Sequence, residues 1–485
     1  MLHRWSRTLS VGCAGLLAAS ALVACGSDDD GPPSAATPRV TGAPSPSSSP
    51  SAAPSFSFTP SAAPTPTATA SATFSALPSA TPSPVPSPPF VPFRLAAGTT
   101  GGIAVGSDGT SWLVAFTSNA GIVATRVGPL GEVLDPTPIV LSASARNRNA
   151  EDPAFSGSLV SFSGVATAFD GAAYAVSFTG SRDFSFSTLE GGYEHWIQRV
   201  SPAGRRLGQA ALIRESRPQF FGEFALREPP AAASGDGEIF TFYRESVCYW
   251  RFSPNAPCPL RLTVEAERLI GNGEGYDKSD PIGLRRPPGP LPTSSIVPMS
   301  PAAAAWNGDA TFAAWSEATV ASHLDGGFSE PMITGALLRD GGFERLTVAS
   351  GGDFAGEIAV GAHRGNFLVV WQSEMRNEIR GRFIDAEGRP NRTGPASAIT
   401  RGKEGALTLG GVAATEDGFL VIWVNENELR AVRFDAGGVK GGTFVLDPGP
   451  VETGAAVAAS ENGYLVAFAR PNRDLIGRYL PSSPR

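Results

Sequence analysis

Histidine, cysteine and methionine are scarce in this sequence, with four of each in 485 residues. Past the N-terminal segment only His195, His323 and His363 remain, far apart and with no ligand partner beside them in sequence. Neither a metal centre nor a histidine-based active site is spelled out. A G-x-S-x-G elbow, an H-E-x-x-H helix and a P-loop are all missing. Their absence removes common hydrolase, zinc-peptidase and nucleotidase signatures and leaves no cofactor to expect. Basic excess is missing as well. The formal net charge is −7 and the pI about 5.3, with no basic stripe, so nucleic acid is not the expected partner.

Glycine and proline, by contrast, are abundant, at 56 and 43 residues, too many for a helical protein. Apolar residues make up 42% of the chain, enough to build a core, and phenylalanine occurs 28 times. That mixture predicts strands and turns.

The first 24 residues read as an export signal. His3, Arg4 and Arg7 form a short basic region, and "TLSVGCAGLLAASALVA" supplies an apolar stretch too short for a membrane span. It ends in "LVAC", Leu22 to Cys25, which resembles the lipobox of bacterial lipoproteins. The resemblance implies cleavage before Cys25, a diacylglycerol on its thiol and an acyl chain on its amine. Cys25 is followed by Gly26 rather than Asp, so the family's inner-membrane retention signal is missing there, and anchoring at the outer membrane or cell surface is expected. Each buried methylene adds roughly 0.8 kcal/mol, so several acyl chains would hold firmly.

Residues 25–89 are Ser, Pro, Ala and Thr, as in "SAAPSFSFTPSAAPTPTATASATF". Nothing there offsets the entropy of ordering, which predicts a disordered, semi-extended tether reaching on the order of 200 Å. Beyond it only Cys248 and Cys258 remain, in "CYWRFSPNAPC". Two cysteines in an exported chain, closing a short loop around two prolines, predict a local disulfide contributing roughly 2–3 kcal/mol.

From residue 90 to 485 one phrase recurs. An apolar five-residue strand with large ends appears as "WLVAF", "YAVSF", "IFTFY", "TFAAW", "FLVVW", "FLVIW" and "YLVAF". Most copies follow Asp-Gly or Asn-Gly, which fit a tight hairpin turn. A small-residue strand precedes each copy, and a third strand follows, for example "EIRGRFI" or "LIGRYL". A short fourth strand such as "TFVL" closes each unit of roughly 45–70 residues, the pattern of a propeller blade. The expected fold is all-β: a seven-bladed β-propeller of four-stranded antiparallel blades. The seventh unit ends without a fourth strand, and "FVPFRLAAG", Phe90 to Gly98, resembles "GGTFVLDPG" near the C-terminus. The N-terminal strand is therefore expected to complete the last blade and remove two exposed sheet edges.

The first and third turns of each unit are short, whereas long segments fall at the second turn and between units, nearly all in units one to four. They predict a lopsided collar of loops on one face, a natural binding surface. Tyr193, His195, Tyr249 and Trp250 lie in that collar as candidate anchors for a protein or glycan. Glu190, Glu194, Asp325 and Glu330 are its carboxylates, an acid–base pair that spacing cannot establish. "SDGTSW" and "SGDGEIF" fail the sialidase Asp-box, S-x-D-x-G-x-x-W, because the Gly follows the Asp directly. Arg126, Arg199 and Arg433 recur near the end of the third strand, with Arg382 and Arg478 close by; such regularity predicts structural pairs.

On the lipobox and this repeat, the chain resembles surface lipoproteins of environmental bacteria that pair a Ser/Pro tether with a propeller of unassigned function. That resemblance carries over no functional residue except Cys25. The expectation is a monomeric, membrane-anchored binding or scaffold module. The alternative is a cell-surface glycoside hydrolase or lyase, with carboxylates and arginines gathered in the central channel.

Overall fold

In the computed structural model the repeat closes into a ring of seven antiparallel sheets, a seven-bladed β-propeller with no helix among the described residues. The structure describes residues 91–482 apart from 144–158, 186–189, 217–224, 228–230, 236, 249–259, 272–275, 279–281, 286–294, 299, 301, 321–327, 340–341, 351–354, 374–375, 391–396, 403–406 and 453. The export signal, Cys25 and the tether therefore lie outside the described residues.

Blade 1 is Thr99–Ser107, Trp112–Ser118, Gly121–Val127 and Ile139–Ala143, paired in that order from the axis outward. Blade 2 (Leu159–Phe169 to Arg206–Ser216), blade 5 (Ala355–His363 to Ser397–Arg401) and blade 6 (Leu407–Thr415 to Lys440–Asp447) follow the same order. Blade 3, the most degenerate copy in sequence, has Glu238–Cys248 and Leu260–Gly271 at its centre, while both of its edges are broken into two short strands. Blade 4 breaks only its inner edge, Ser295–Pro298 and Ala303–Trp306.

The repeated five-residue strand explains the ring. Side chains alternate across a strand, so its odd and even positions meet different neighbours. Trp112, Val114 and Phe116 of blade 1 pack on Leu465 and Ala467 of blade 7, which is Ala455–Ser460, Gly463–Ala469, Asp474–Pro481 and Phe93–Ala97 from the axis outward. Leu113 and Ala115 pack on Tyr174, Val176 and Phe178 of blade 2. The same division holds in blade 5: Phe367, Val369 and Trp371 meet blade 4, while Leu368 and Val370 meet Phe419, Val421 and Trp423 of blade 6. In these blades the large side chains face the preceding blade and the smaller ones the next, whereas blade 3 reverses the order, with Ile239 toward blade 2 and Phe240 and Phe242 toward blade 4. Blade 4 departs at its first position, where Thr311 stands and Phe312 carries the ring on the other face, 5.2 Å from Phe367. Trp112, Trp315, Trp371 and Trp423 are all fully buried. Each buried aromatic of this kind contributes about 1.5–3 kcal/mol.

One apolar cluster fills each seam, including the one between blades 7 and 1. That last seam is made by Phe93–Ala97, the outermost strand of blade 7, antiparallel to Asp474–Pro481 with Phe93 opposite Gly477 and Ala97 opposite Asp474. Gly477 is required there, since a Cβ would sit 2.6 and 2.7 Å from Phe93 Cε2 and Cζ.

The Asp-Gly and Asn-Gly pairs of blades 1, 2 and 4 do not form the two-residue turn expected of them. In blade 1 the last paired residues are Ser107 and Trp112, leaving a four-residue turn. Asp108 Oδ1 accepts hydrogen bonds from Thr110 N at 2.9 Å and Ser111 N at 2.6 Å, and Gly109 takes a φ of 91°. Asp170 and Asn307 cap the corresponding turns in the same way. Partial burial works to raise the Asp108 carboxyl, but the hydrogen bonds from Ser111 and Thr110 outweigh it and hold the group below its ordinary range.

Candidate functional site

Candidate places for a ligand include the axial channel and the face bearing the second turns. The channel encloses about 320 Å³ and takes residues from the first strand of every blade, among them Val105, Thr167, Ala232, Ala304, Ala359, Gly411 and Val457. Seven strands converging on one axis leave room for little else. A Cβ at Gly361 would lie 2.9 Å from Val412 Cγ2, and one at Gly410 would lie 3.1 Å from Ala455 Cβ. Among the described channel-lining residues Glu357 is the one carboxylate, and it is exposed.

The recurring arginines are not in the channel. Arg126 forks onto Asp135, with Nη2–Oδ1 at 2.7 Å, and its Nη1 donates to the Pro202 carbonyl of blade 2. Arg433 donates through Nη1 to Ser482 O and through Nη2 to Pro481 O of blade 7, each at 2.6 Å. Arg382 donates to the Val348 carbonyl of blade 4. Burial lowers the Arg478 guanidinium, and the Asp447 carboxylate works the other way. The regular arginines are struts within and between blades.

The face of the second turns is asymmetric, and by a different device than the sequence predicts. In blade 2 the second and third strands are Tyr174–Ser185 and Glu190–Val200, of 12 and 11 residues, where blade 1 has seven in each. Blade 3 has 11 and 12, and blade 4 has 10 and 12. Blades 5, 6 and 7 keep seven or eight. At about 3.4 Å per residue the three long hairpins rise roughly 10–17 Å farther than their neighbours. Much of what reads as loop is therefore β-ribbon: Gly180 pairs with Glu194, Ser181 with Tyr193 and Arg182 with Gly192.

This ribbon corrects the reading of His195. The residue lies in the third strand of blade 2, fully buried, with Nε2 3.2 Å from Thr241 Oγ1 of blade 3. It belongs to the seam and does not present a surface anchor. Tyr193 is two residues earlier in the same strand, opposite Ser181 and Ser216. Tyr249, Trp250 and Cys258 lie outside the described residues. Cys248 ends the second strand of blade 3, opposite Leu260, and the expected Cys248–Cys258 disulfide involves a residue outside the described ones.

Of the collar carboxylates, Glu190 opens a strand, Glu330 lies within Phe328–Arg339, and Asp325 is outside the described residues. Glu194 is buried and accepts a hydrogen bond from Trp196 Nε1 at 2.9 Å. Sequence reasoning missed Glu317 and Glu267, both buried. Glu317 accepts from Trp315 Nε1 at 2.8 Å and Thr334 Oγ1 at 2.9 Å, and pairs with Arg345. The Trp-x-Glu spacing, which puts both side chains on one strand face, was the available signal.

Below His195 the seam of blades 2 and 3 holds a second polar group. Arg199 Nη2 lies 2.8 Å from Asp170 Oδ2, and Tyr276 donates to the same oxygen at 3.1 Å. The guanidinium stacks 5.1 Å from the Tyr276 ring centroid. Burial, then the Asp170 charge, pushes the Tyr276 hydroxyl far above its ordinary range. These groups engage one another and are buried from solvent. They hold blades together and offer no acid–base pair to a substrate.

No family model matches the chain, and no curated protein matches it. Among solved structures it is similar to a Trypanosoma rangeli sialidase in complex with the inhibitor DANA, at 8% identity and a TM-score of 0.42, over 67% of this chain and 55% of that one. It is also similar to a prolyl endopeptidase, at 14% identity and a TM-score of 0.44, over 80% of this chain and 48% of that one. A glycosyl hydrolase from Bacteroides ovatus is similar at 13% identity and a TM-score of 0.30, over 53% of this chain and 84% of that one. The chain spans about half the length of the first two. Likenesses of this order carry no argument about activity.

Proposed function

We propose that this protein is a surface-displayed binding or scaffold module, monomeric and lipid-anchored through Cys25 on a disordered tether, which meets a protein or glycan with the long hairpins of blades 2–4. The observation that carries the reading is the three consecutive extended hairpins, a local investment that ring packing does not need. A channel lined mainly by Ala, Val, Gly and Thr side chains supports it, because a hydrolase or lyase would want converging acid–base groups there. The anchor rests on "LVAC" and the Ser/Pro stretch behind it.

The test replaces each long hairpin with the two-residue turn of blade 6, Glu426–Asn427. Binding of the purified protein to arrayed bacterial and host glycans, and to envelope proteins, is measured before and after. Saturable binding lost with the hairpins is expected, with no turnover of any glycan. Hydrolysis that disappears in Glu357→Gln would replace this reading with the enzymatic one. Cell fractionation tests the anchor: Cys25→Ala is expected to move the protein from the membrane pellet to the soluble fraction.

A further inference from the structure

The closing strand has a direction as well as a place. Asp474–Pro481 runs from the second turn of blade 7, beside Asp474, toward the face of the first and third turns, where Pro481 pairs with Gly463. Phe93–Ala97 is antiparallel to it, with Ala97 opposite Asp474 and Phe93 opposite Gly477. The chain therefore enters the ring at Val91 from the face of the first and third turns, the face opposite the long hairpins. Val91 itself is 60% exposed.

Entry along the strand axis decides how a pull is borne. A load between Val91 and the hairpin face runs parallel to the closing strand, so its ladder hydrogen bonds share the load together. A load between Val91 and Ser482, at the same end of the two strands, opens the ladder one bond at a time. The strand is also keyed in place against sliding. Phe93 fills the space that Gly477 leaves and lies 3.3 Å from a Cβ built on Gly131 of blade 1. Leu95 is buried in the seam of blades 7 and 1, whereas Arg94 pairs with Asp474 from a largely exposed side chain and adds little to the key.

We propose that the closing strand is a tension-bearing clasp, loaded in shear when a partner on the long hairpins pulls against the N-terminal tether. This rests on the reading of an anchored tether and a hairpin-face partner. The force-bearing geometry itself can be measured without either.

The experiment is single-molecule force spectroscopy on the full chain, with handles at Val91 and Glu426 in one arm and at Val91 and Ser482 in the other. Glu426 lies in the second turn of blade 6, on the hairpin face. First rupture is expected at severalfold higher force in the first arm. Gly477→Ala, which displaces Phe93, is expected to lower that force toward the second arm while the Arg94→Gln variant, at an exposed ion pair, changes it little. Equal rupture forces in the two arms would overturn the clasp, as would a first event in the Val91–Glu426 arm whose length gain shows another blade opening before the closing strand. Either result leaves the binding reading untouched, because no ligand or membrane takes part.

Discussion

Blades 5, 6, 7 and 1 and blades 2, 3 and 4 solve the same packing problem by different means. In the first group the seams are mainly apolar, as where Leu420 and Ile422 meet Tyr464, Val466 and Phe468, and no ion pair buried at both ends crosses them among the described residues. The hairpins end as soon as the ring is covered. In the second group the strands run on, and buried polar groups enter the seams. Ile197, Ile239 and Leu269 share the seam of blades 2 and 3 with His195, Thr241, Glu267, Arg199 and Asp170, all buried. Apolar packing is tolerant, and a repeat can reuse it four times with small changes. A buried ion pair gains little net stability against its desolvation cost, yet removing one partner leaves an uncompensated charge. The elaborated blades thus give up cheap stability for a fixed arrangement beneath the hairpins.

The comparison breaks first at its regular end. Trp371 is fully buried in the seam of blades 4 and 5. Trp371→Ala leaves a cavity between two rigid sheets and is expected to cost about 3–5 kcal/mol in urea unfolding. In the elaborated group, Asp170→Asn strands Arg199 in a buried site and removes the charge that Tyr276 also engages. A loss of about 3 kcal/mol is expected from thermal or urea unfolding. A loss within error would mean that water reaches the pair and that this seam is looser than its burial indicates. At the closure, Gly477→Ala forces Phe93 out of its place, with an expected cost of about 1–3 kcal/mol.

The ring was legible because each blade repeats one decision. "FLVVW" and "FLVIW" are apolar at every position since both faces of the strand are covered, and the missing fourth strand of unit seven pointed to "FVPFRLAAG" at the other end. The elaboration was not legible, for a local reason. "TGSRDFSFSTLEGGYEH", the long second turn of unit two, is rich in Gly and Ser and reads as loop, although "DFSFS" alternates with the period of a strand. Extending the strand by that period places His195 on the face of Ile197 and Arg199, toward blade 3 and away from solvent. The pairing of Arg199 with Asp170, 29 residues away, follows only once the first turn of blade 2 is folded beside its third strand.

The smallest effect lies at alkaline pH, and it sharpens the contrast. Tyr174 and Tyr464 open the repeated strand in blades 2 and 7, whereas Tyr276 belongs to the polar seam of blades 2 and 3. Burial comes first among the causes that raise all three hydroxyls; Asp108 adds to the effect for Tyr174 and Asp170 for Tyr276, while Arg433 opposes it for Tyr464. A phenol whose folded pKa is raised keeps its proton in the native state when the unfolded chain has lost it. Stability is then complete below the unfolded value of about 10 and falls as pH rises above it. Melting temperature should be flat from pH 8 to about 10 and decline beyond, with these three tyrosines contributing tyrosinate absorbance only on unfolding. Tyr464→Phe removes one ionising group and its hydrogen bonds to Thr415 and Gly418, so it should lower stability modestly at neutral pH and flatten the alkaline decline. Tyr276→Phe should flatten the decline more, because its hydroxyl is the one held against a buried carboxylate. Equal slopes in the two variants would show that the polar seam treats an added negative charge no differently from the apolar ones.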